Sequence, residues 1–145
     1  MRYFIGIDYG SKRIGLAVGD DETRLAMPLR RLEPRGDLNA QIEAVVEACS
    51  GYNVAGFIVG LPLNMDGSEG PQARACRSFG RQLARAAGKS VSYQDERLTT
   101  AQAQELLRPA ELTHKQKRSR LDRVSAQLIL QAFFDSMECH PDRTA

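Results

Sequence analysis

Acidic residues at three places in this 145-residue chain invite a chemical reading: Asp8, the pair Asp95-Glu96, and Asp122. Asp8 closes an apolar stretch, Tyr3 to Ile7, two residues before Gly10. A carboxylate at the end of a strand reaches solvent at the rim of a sheet, although an Asp also commonly starts a turn. Asp95 and Glu96 close a second extended stretch. Alternation puts them on opposite faces, so at most one of them can serve a shared site. Both also suit the start of a following helix, where the macrodipole favours negative charge. Asp122 shares a helix face with Ser125, Ala126, Ile129 and Phe133. An acid at the end of an apolar face lies at the margin of the core and needs a partner, either a cation or an Arg such as Arg123. Carboxylates brought together from different elements would bind Mg²⁺ or Mn²⁺, hard cations that take oxygen ligands. In phosphodiester cleavage such ions activate water and stabilise the leaving oxygen. His114 and His140 stand alone and offer neither a ligand pair nor an evident base.

These acids must be positioned by the elements around them. Tyr3 to Asp8 and Ile14 to Gly19 read as strands joined by a turn at Gly10 to Arg13. Leu25 to Leu32 reads as a third strand, at an edge because of Pro28. Asp37 to Cys49 has helical periodicity, with Leu38, Ile42, Val45, Val46 and Cys49 on one face. Val54 to Leu61 is a nearly unbroken apolar run, as in a buried central strand. A polar loop leads to a helix over Pro71 to Ala87 and then to a strand over Val91 to Glu96. Thr99 with Gln102 matches a capping box, so a helix runs from there to near Pro109. A basic connector precedes a last helix from Ser119 to Met137, and residues 139–145 are expected to fray. The order β-β-β-α-β-α-β-α-α predicts an α/β fold: a mixed five-stranded sheet, with a three-stranded antiparallel meander plus parallel strands, and helices on both faces. The length suits one domain over residues 1–138.

Composition narrows the function classes. Hydrophobic residues are 42% and charged residues 26%, as in a globular protein. With four Tyr, five Phe and no Trp, the core must be mostly aliphatic. Cys49, Cys76 and Cys139 are far apart and odd in number, which argues against a disulfide framework or a zinc site and favours a reducing, cytoplasmic setting. The N-terminal apolar run is too short for a signal peptide and ends in a carboxylate. Val124 to Phe134 is too short to span a bilayer, so no membrane partner is expected.

Four segments in combination carry a family resemblance: Gly6-Ile7-Asp8-Tyr9-Gly10-Ser11-Lys12-Arg13-Ile14-Gly15; Val59-Gly60-Leu61-Pro62-Leu63-Asn64-Met65-Asp66-Gly67; Asp95-Glu96-Arg97-Leu98-Thr99-Thr100; and Asp122 with Ser125-Ala126. From Tyr3 to Phe134 the chain resembles the YqgF family, whose members are described as Holliday junction resolvases or as the nuclease that matures the precursor of small-subunit ribosomal RNA. The resemblance implies a ribonuclease H-like fold and a metal-dependent phosphodiester hydrolase. It places the catalytic and metal-holding acids on Asp8, within the Asp95-Glu96 pair, of which Glu96 is taken here, and on Asp122. One departure stands out. Resolvases place a Glu at the end of the fourth strand, where this chain reads Gly60-Leu61-Pro62, so the acid must come from the fifth strand. Ser125 also replaces an expected Ala.

A formal net charge of +2 does not by itself announce a nucleic-acid binder, so the distribution of charge matters more. Arg74, Arg77, Arg81, Arg85 and Lys89 recur at helical spacing, a stripe of about 22 Å that is either a solvated face or a phosphate track. Lys115, Lys117, Arg118, Arg120 and Arg123 crowd around Asp122. Lys12, Arg13, Asn64 and Arg97, with Lys115, Lys117, Arg118 and Arg120, are the expected contacts to nucleic acid. The partners implied are structured RNA, branched DNA and ribosomal particles, with monomer and homodimer both open. Two other readings compete with a nuclease. One is a nucleic-acid-binding domain without catalysis. The other is a phosphate loop like that of actin-like ATPases, which need two such domains where this length supplies one.

Overall fold

The computed structural model describes residues 1–10, 12–96 and 114–138, with the backbone alone at 114–123 and at 138. Five strands form one sheet: β1 (Tyr3–Tyr9), β2 (Ile14–Asp20), β3 (Met27–Leu32), β4 (Val54–Leu61) and β5 (Ser90–Asp95). Their spatial order is β3-β2-β1-β4-β5. The meander β1-β2-β3 is antiparallel, and β4 and β5 extend it in parallel with β1. This is the mixed sheet that the order of elements implied.

Three described helices cover the sheet: α1 (Leu38–Ala48), α2 (Pro71–Ala87) and α3 (His114–Glu138). Asp37 caps α1 by accepting from the Ala40 N–H at 3.0 Å. Pro71 opens α2, where a missing N–H is harmless, and Gly88 closes it in the left-handed conformation at φ 65°. Strand alternation divides the core between the two faces. Ile5, Ile7, Phe57, Val59 and Leu61 join α1 and α2 in one cluster. Ala17 and Ile58 join Ala126, Ile129, Leu130 and Phe134 of α3 in the other. The apolar face of α3 therefore includes Leu130 and Phe134, both fully buried, beside the expected Ala126 and Ile129.

Two element starts differ most from the sequence reading. β3 begins at Met27 rather than Leu25. Gln131 donates to the Arg24 carbonyl and accepts from the Ala26 N–H, and Gln127 donates to the Ala26 carbonyl, so residues 24 to 26 are tied to α3 instead of joining the ladder. Pro28 lies on the outer strand as expected, beside an irregularity in register between Leu16 and Ala17. The second difference is the start of the last helix. It begins at His114, so Lys115, Lys117, Arg118 and Arg120 are helical and not a connector. Lys, Gln and Arg are good helix formers, and no Gly or Pro interrupts this segment; only its apolar periodicity is missing. The helix expected from Thr99 to near Pro109 and the tail at 139–145 lie outside the described residues.

Candidate active site

Asp8 is the last but one residue of β1, the strand at the middle of the sheet. Its face is set by its neighbours. A Cβ added to Gly6 would stand 2.7 Å from the Ala126 carbonyl oxygen of α3, so Phe4, Gly6 and Asp8 face that helix. The opposite face fixes the backbone at this point. Gln72 donates to the Tyr9 carbonyl at 3.0 Å, the Cys76 thiol lies 3.9 Å from the same oxygen, and the Tyr9 ring stacks on Phe79 with centroids 4.2 Å apart. The Tyr9 hydroxyl donates to Gln41 at 2.7 Å. Beyond Tyr9 the Gly10 N–H donates to the Arg13 carbonyl at 2.9 Å and closes the turn. Asp8 thus stands on a braced strand end, which is what a preorganised carboxylate requires.

Glu96 arrives from β5. The ladder pairs Gly60 with Gln94 and Leu61 with Asp95, and the Glu96 N–H extends it by donating to the Leu61 carbonyl at 3.3 Å. Asp95 is exposed, whereas Glu96 is half-buried. The Glu96 Oε2 atom lies against Gly60, in the space a side chain there would fill. Since Ile7 pairs with Val59, the residue beside Gly60 on β1 is Asp8. Burial, then the charge of Asp8, then that of Asp95 push the Glu96 carboxyl up to about 7. Two carboxylates that resist joint ionisation are characteristic of functional sites, although structural networks perturb carboxyls too. Of the two acids, Glu96 is the half-buried one whose carboxylate lies at Gly60, while Asp95 is exposed.

The third acid is placed by the backbone alone. Ala126 and Leu130 lie at Gly6, while Phe133 and Phe134 lie against Phe4 with ring centroids 5.5 and 6.0 Å away. The helix therefore runs opposite to β1. One turn before Ala126 advances about 6 Å, close to two residues of strand, so the backbone of Asp122 falls at the level of Asp8. The Asp122 side chain is outside the described residues, as are those of Lys115, Lys117, Arg118 and Arg120 and the whole of Arg97. Among the described residues no three His, Cys, Asp or Glu side chains form a group that could hold a metal; Asp8 and Glu96 are a pair.

The remaining expected contacts surround this end of the sheet. Lys12 is exposed in the β1–β2 turn, and Arg13 is half-buried beside it. Asn64 lies in the loop after β4. Its side chain donates to Ser68 Oγ at 2.9 Å, and its backbone exchanges bonds with Ser68 and Gly67. Asn64 thus builds the loop, and any contact to sugar or phosphate is made from a preset position. The α2 stripe is interrupted. Arg77 makes two bonds to Glu69, at 2.6 and 2.9 Å, and its guanidinium sits 4.9 Å over the Tyr93 ring, leaving Arg74, Arg81, Arg85 and Lys89 exposed. Cys76 is no nucleophile: burial, with Glu96 and Asp8 nearby, pushes its thiol up to about 12. Sequence reasoning noted the missing acid at Gly60-Leu61-Pro62 but not the packing of Glu96 against Gly60, and it passed over the Gln127–Gln131 clamp. The signal for the first was a Gly inside a buried strand.

Comparison with known proteins shows the family and the fold. The family model described as "RuvX: Holliday junction resolvase" matches residues 2–136. A protein of Anaeromyxobacter sp. (strain Fw109-5) named "Putative pre-16S rRNA nuclease" is 43% identical over 135 residues, which are 93% of this chain and 97% of that one. A protein of the same name from Myxococcus xanthus (strain DK1622) is 39% identical over 143 residues, 95% of this chain and 94% of that one. Among solved structures, T. thermophilus RuvC in complex with a Holliday junction substrate aligns with a TM-score of 0.57 at 15% identity, over 94% of this chain and 96% of that one. That likeness shows a shared fold, the RuvC-like, ribonuclease H-like architecture. With a family model covering nearly its whole length and relatives of this identity, the chain belongs to the RuvX (YqgF) family of nucleases.

Proposed function

We propose that the chain hydrolyses phosphodiester bonds in the precursor of 16S ribosomal RNA, with Asp8, Glu96 and Asp122 holding Mg²⁺ or Mn²⁺. The observation that carries this reading is the convergence of Asp8 and Glu96, from separate strands, at the carboxyl ends of β1 and β5. Their donor set fits the ion: hard oxygens whose mutual repulsion a divalent cation relieves. When bound, the cation supplies Lewis acidity and makes an attacking water easier to deprotonate. The braced end of β1 holds Asp8 in place, and Glu96 is kept beside it by the slot at Gly60. Lys12 and Arg13 in the adjacent turn draw phosphates to this rim, and Asn64, Arg97, Lys115, Lys117, Arg118 and Arg120 extend the contact along the substrate. The relatives named for pre-16S rRNA support the choice of substrate, with ribosomal precursor particles as the partner. The two buried free thiols, Cys49 and Cys76, accord with a cytoplasmic setting. Among the described residues no helix is long and apolar enough to cross a membrane.

A second substrate, a four-way DNA junction, is favoured by the description of the family model. The two differ in stoichiometry, because symmetric cutting of a junction calls for two copies of the chain. Purified protein with Mg²⁺ or Mn²⁺ is to be offered labelled rRNA precursor and a labelled four-way junction at equal concentration, with its mass measured by light scattering. Cleavage of the RNA with the junction intact is expected. Paired nicks in the junction by a dimer would transfer the reading to resolution. Salt-sensitive binding of both without cleavage would make the chain a binding domain.

A further inference from the structure

Gly60 is an odd residue for its place. It lies near the end of β4, between two neighbouring strands, where an apolar or β-branched residue packs best and a Gly weakens the strand. A Cβ added there would collide with Glu96 Oε2 and with Ile129 Cδ1, and would stand 3.1 Å from Ile129 Cγ1. Side chains from two other elements thus use the room that β4 leaves empty. One is the tip of a core residue of α3. The other is a carboxylate from the end of β5, which crosses β4 toward the position of Asp8 on β1. We propose that Gly60 is a positioning residue: its missing side chain is the slot through which an acid carried by β5 reaches the Asp8 site. The inference rests on the reading of Glu96 as a metal-holding residue. On this account the chain has no acid of its own at the end of β4 because Glu96 takes that space from the next strand.

Packing and positioning make different predictions, because the two collisions can be separated. Ile129→Val removes the Cδ1 atom and relieves one of them, while the collision with Glu96 remains. Gly60→Ala, Ile129→Val, the double variant Gly60→Ala/Ile129→Val and Glu96→Gln are to be compared with the parent protein. The readouts are melting temperature, Mn²⁺ affinity by titration calorimetry, and kcat and KM for cleavage of the rRNA precursor. Ile129→Val should bind Mn²⁺ and cleave as the parent does, with a modestly lower melting temperature from the lost buried methyl. The double variant should regain much of the melting temperature lost in Gly60→Ala, yet bind Mn²⁺ about 10- to 100-fold more weakly, with kcat reduced by a similar factor and KM little changed. A double variant that binds Mn²⁺ and cleaves like the parent would overturn the inference, leaving Gly60 to accommodate Ile129 alone. Glu96→Gln separates this from the reading beneath it. If that variant binds metal and cleaves normally, Glu96 is not a metal-holding residue and both ideas fall. If it is impaired while the double variant is not, only the role of Gly60 falls.

Discussion

Glu96 holds its proton higher on the pH scale than a carboxyl in water because it is half-buried and shares its surroundings with Asp8 and Asp95. That shift has a stability consequence in the metal-free protein. The folded pKa, about 7, lies above the ordinary value of 4.5, so the folded state favours the protonated form. The resulting stabilisation is fully present below pH 4.5 and is lost as pH rises through 7. Its size is about 2 kcal/mol, taking roughly 1.4 kcal/mol per unit and discounting for the water that reaches the group. Urea unfolding in EDTA between pH 4.5 and 7.5 should show this decline in the parent protein, and a clearly flatter profile in Glu96→Gln. Parallel profiles would mean that Glu96 titrates normally. The placement of Asp8 at a strand end was legible in the sequence, because a carboxylate ending an apolar strand before a Gly turn is a local pattern. The choice between Asp95 and Glu96 was half legible: alternation allows only one, but which face holds the site depends on pairing with β4. The family resemblance implied that an acid of the fifth strand replaces one at Gly60-Leu61-Pro62, but the contact of Glu96 with Gly60 was not legible, since it joins residues 36 positions apart through the sheet register.

Among the elements, the fit between α3 and β1 decides whether the site closes. The helix approaches Gly6 so closely that its Ala126 carbonyl and Leu130 Cβ occupy the space of an absent side chain, each 2.7 Å from it. The Gln127 and Gln131 side chains add a polar clamp to residues 24 to 26. Gly6→Ala should therefore lift the helix from the sheet. Overpacking of this kind destabilises by about 1–3 kcal/mol, seen as a lower melting temperature, and moves the Asp122 backbone away from Asp8. Cleavage should drop more than the residual folded fraction explains; activity that merely tracks folded protein would show that α3 does not set the site. Strands and helices with strong periodicity were readable because burial imposes that periodicity directly. The starts of β3 and α3 were not. The first is set by Gln side chains more than 100 residues away, and the second lies in a charged segment whose helix-forming residues carry no apolar signal.

At the scale of the whole molecule, the sheet order brings the ends of β1, β4 and β5 to one rim, where Asp8, the Asn64 loop and Glu96 meet. Ligands in open α/β sheets gather at such carboxyl ends. The fold class followed from the order of elements, but the charge pattern needed three dimensions. Arg77, which spacing assigned to a basic stripe, turns to Glu69 and Tyr93. The most direct test of the account is metal-dependent cleavage of the rRNA precursor by the parent protein beside Asp8→Asn and Asp122→Asn, with Mn²⁺ binding measured on the same samples. The account predicts cleavage by the parent that EDTA abolishes and Mg²⁺ or Mn²⁺ restores, with both variants folded, weakened in Mn²⁺ binding and inactive. Undiminished cleavage by Asp8→Asn, or parent cleavage that persists in EDTA, would contradict it.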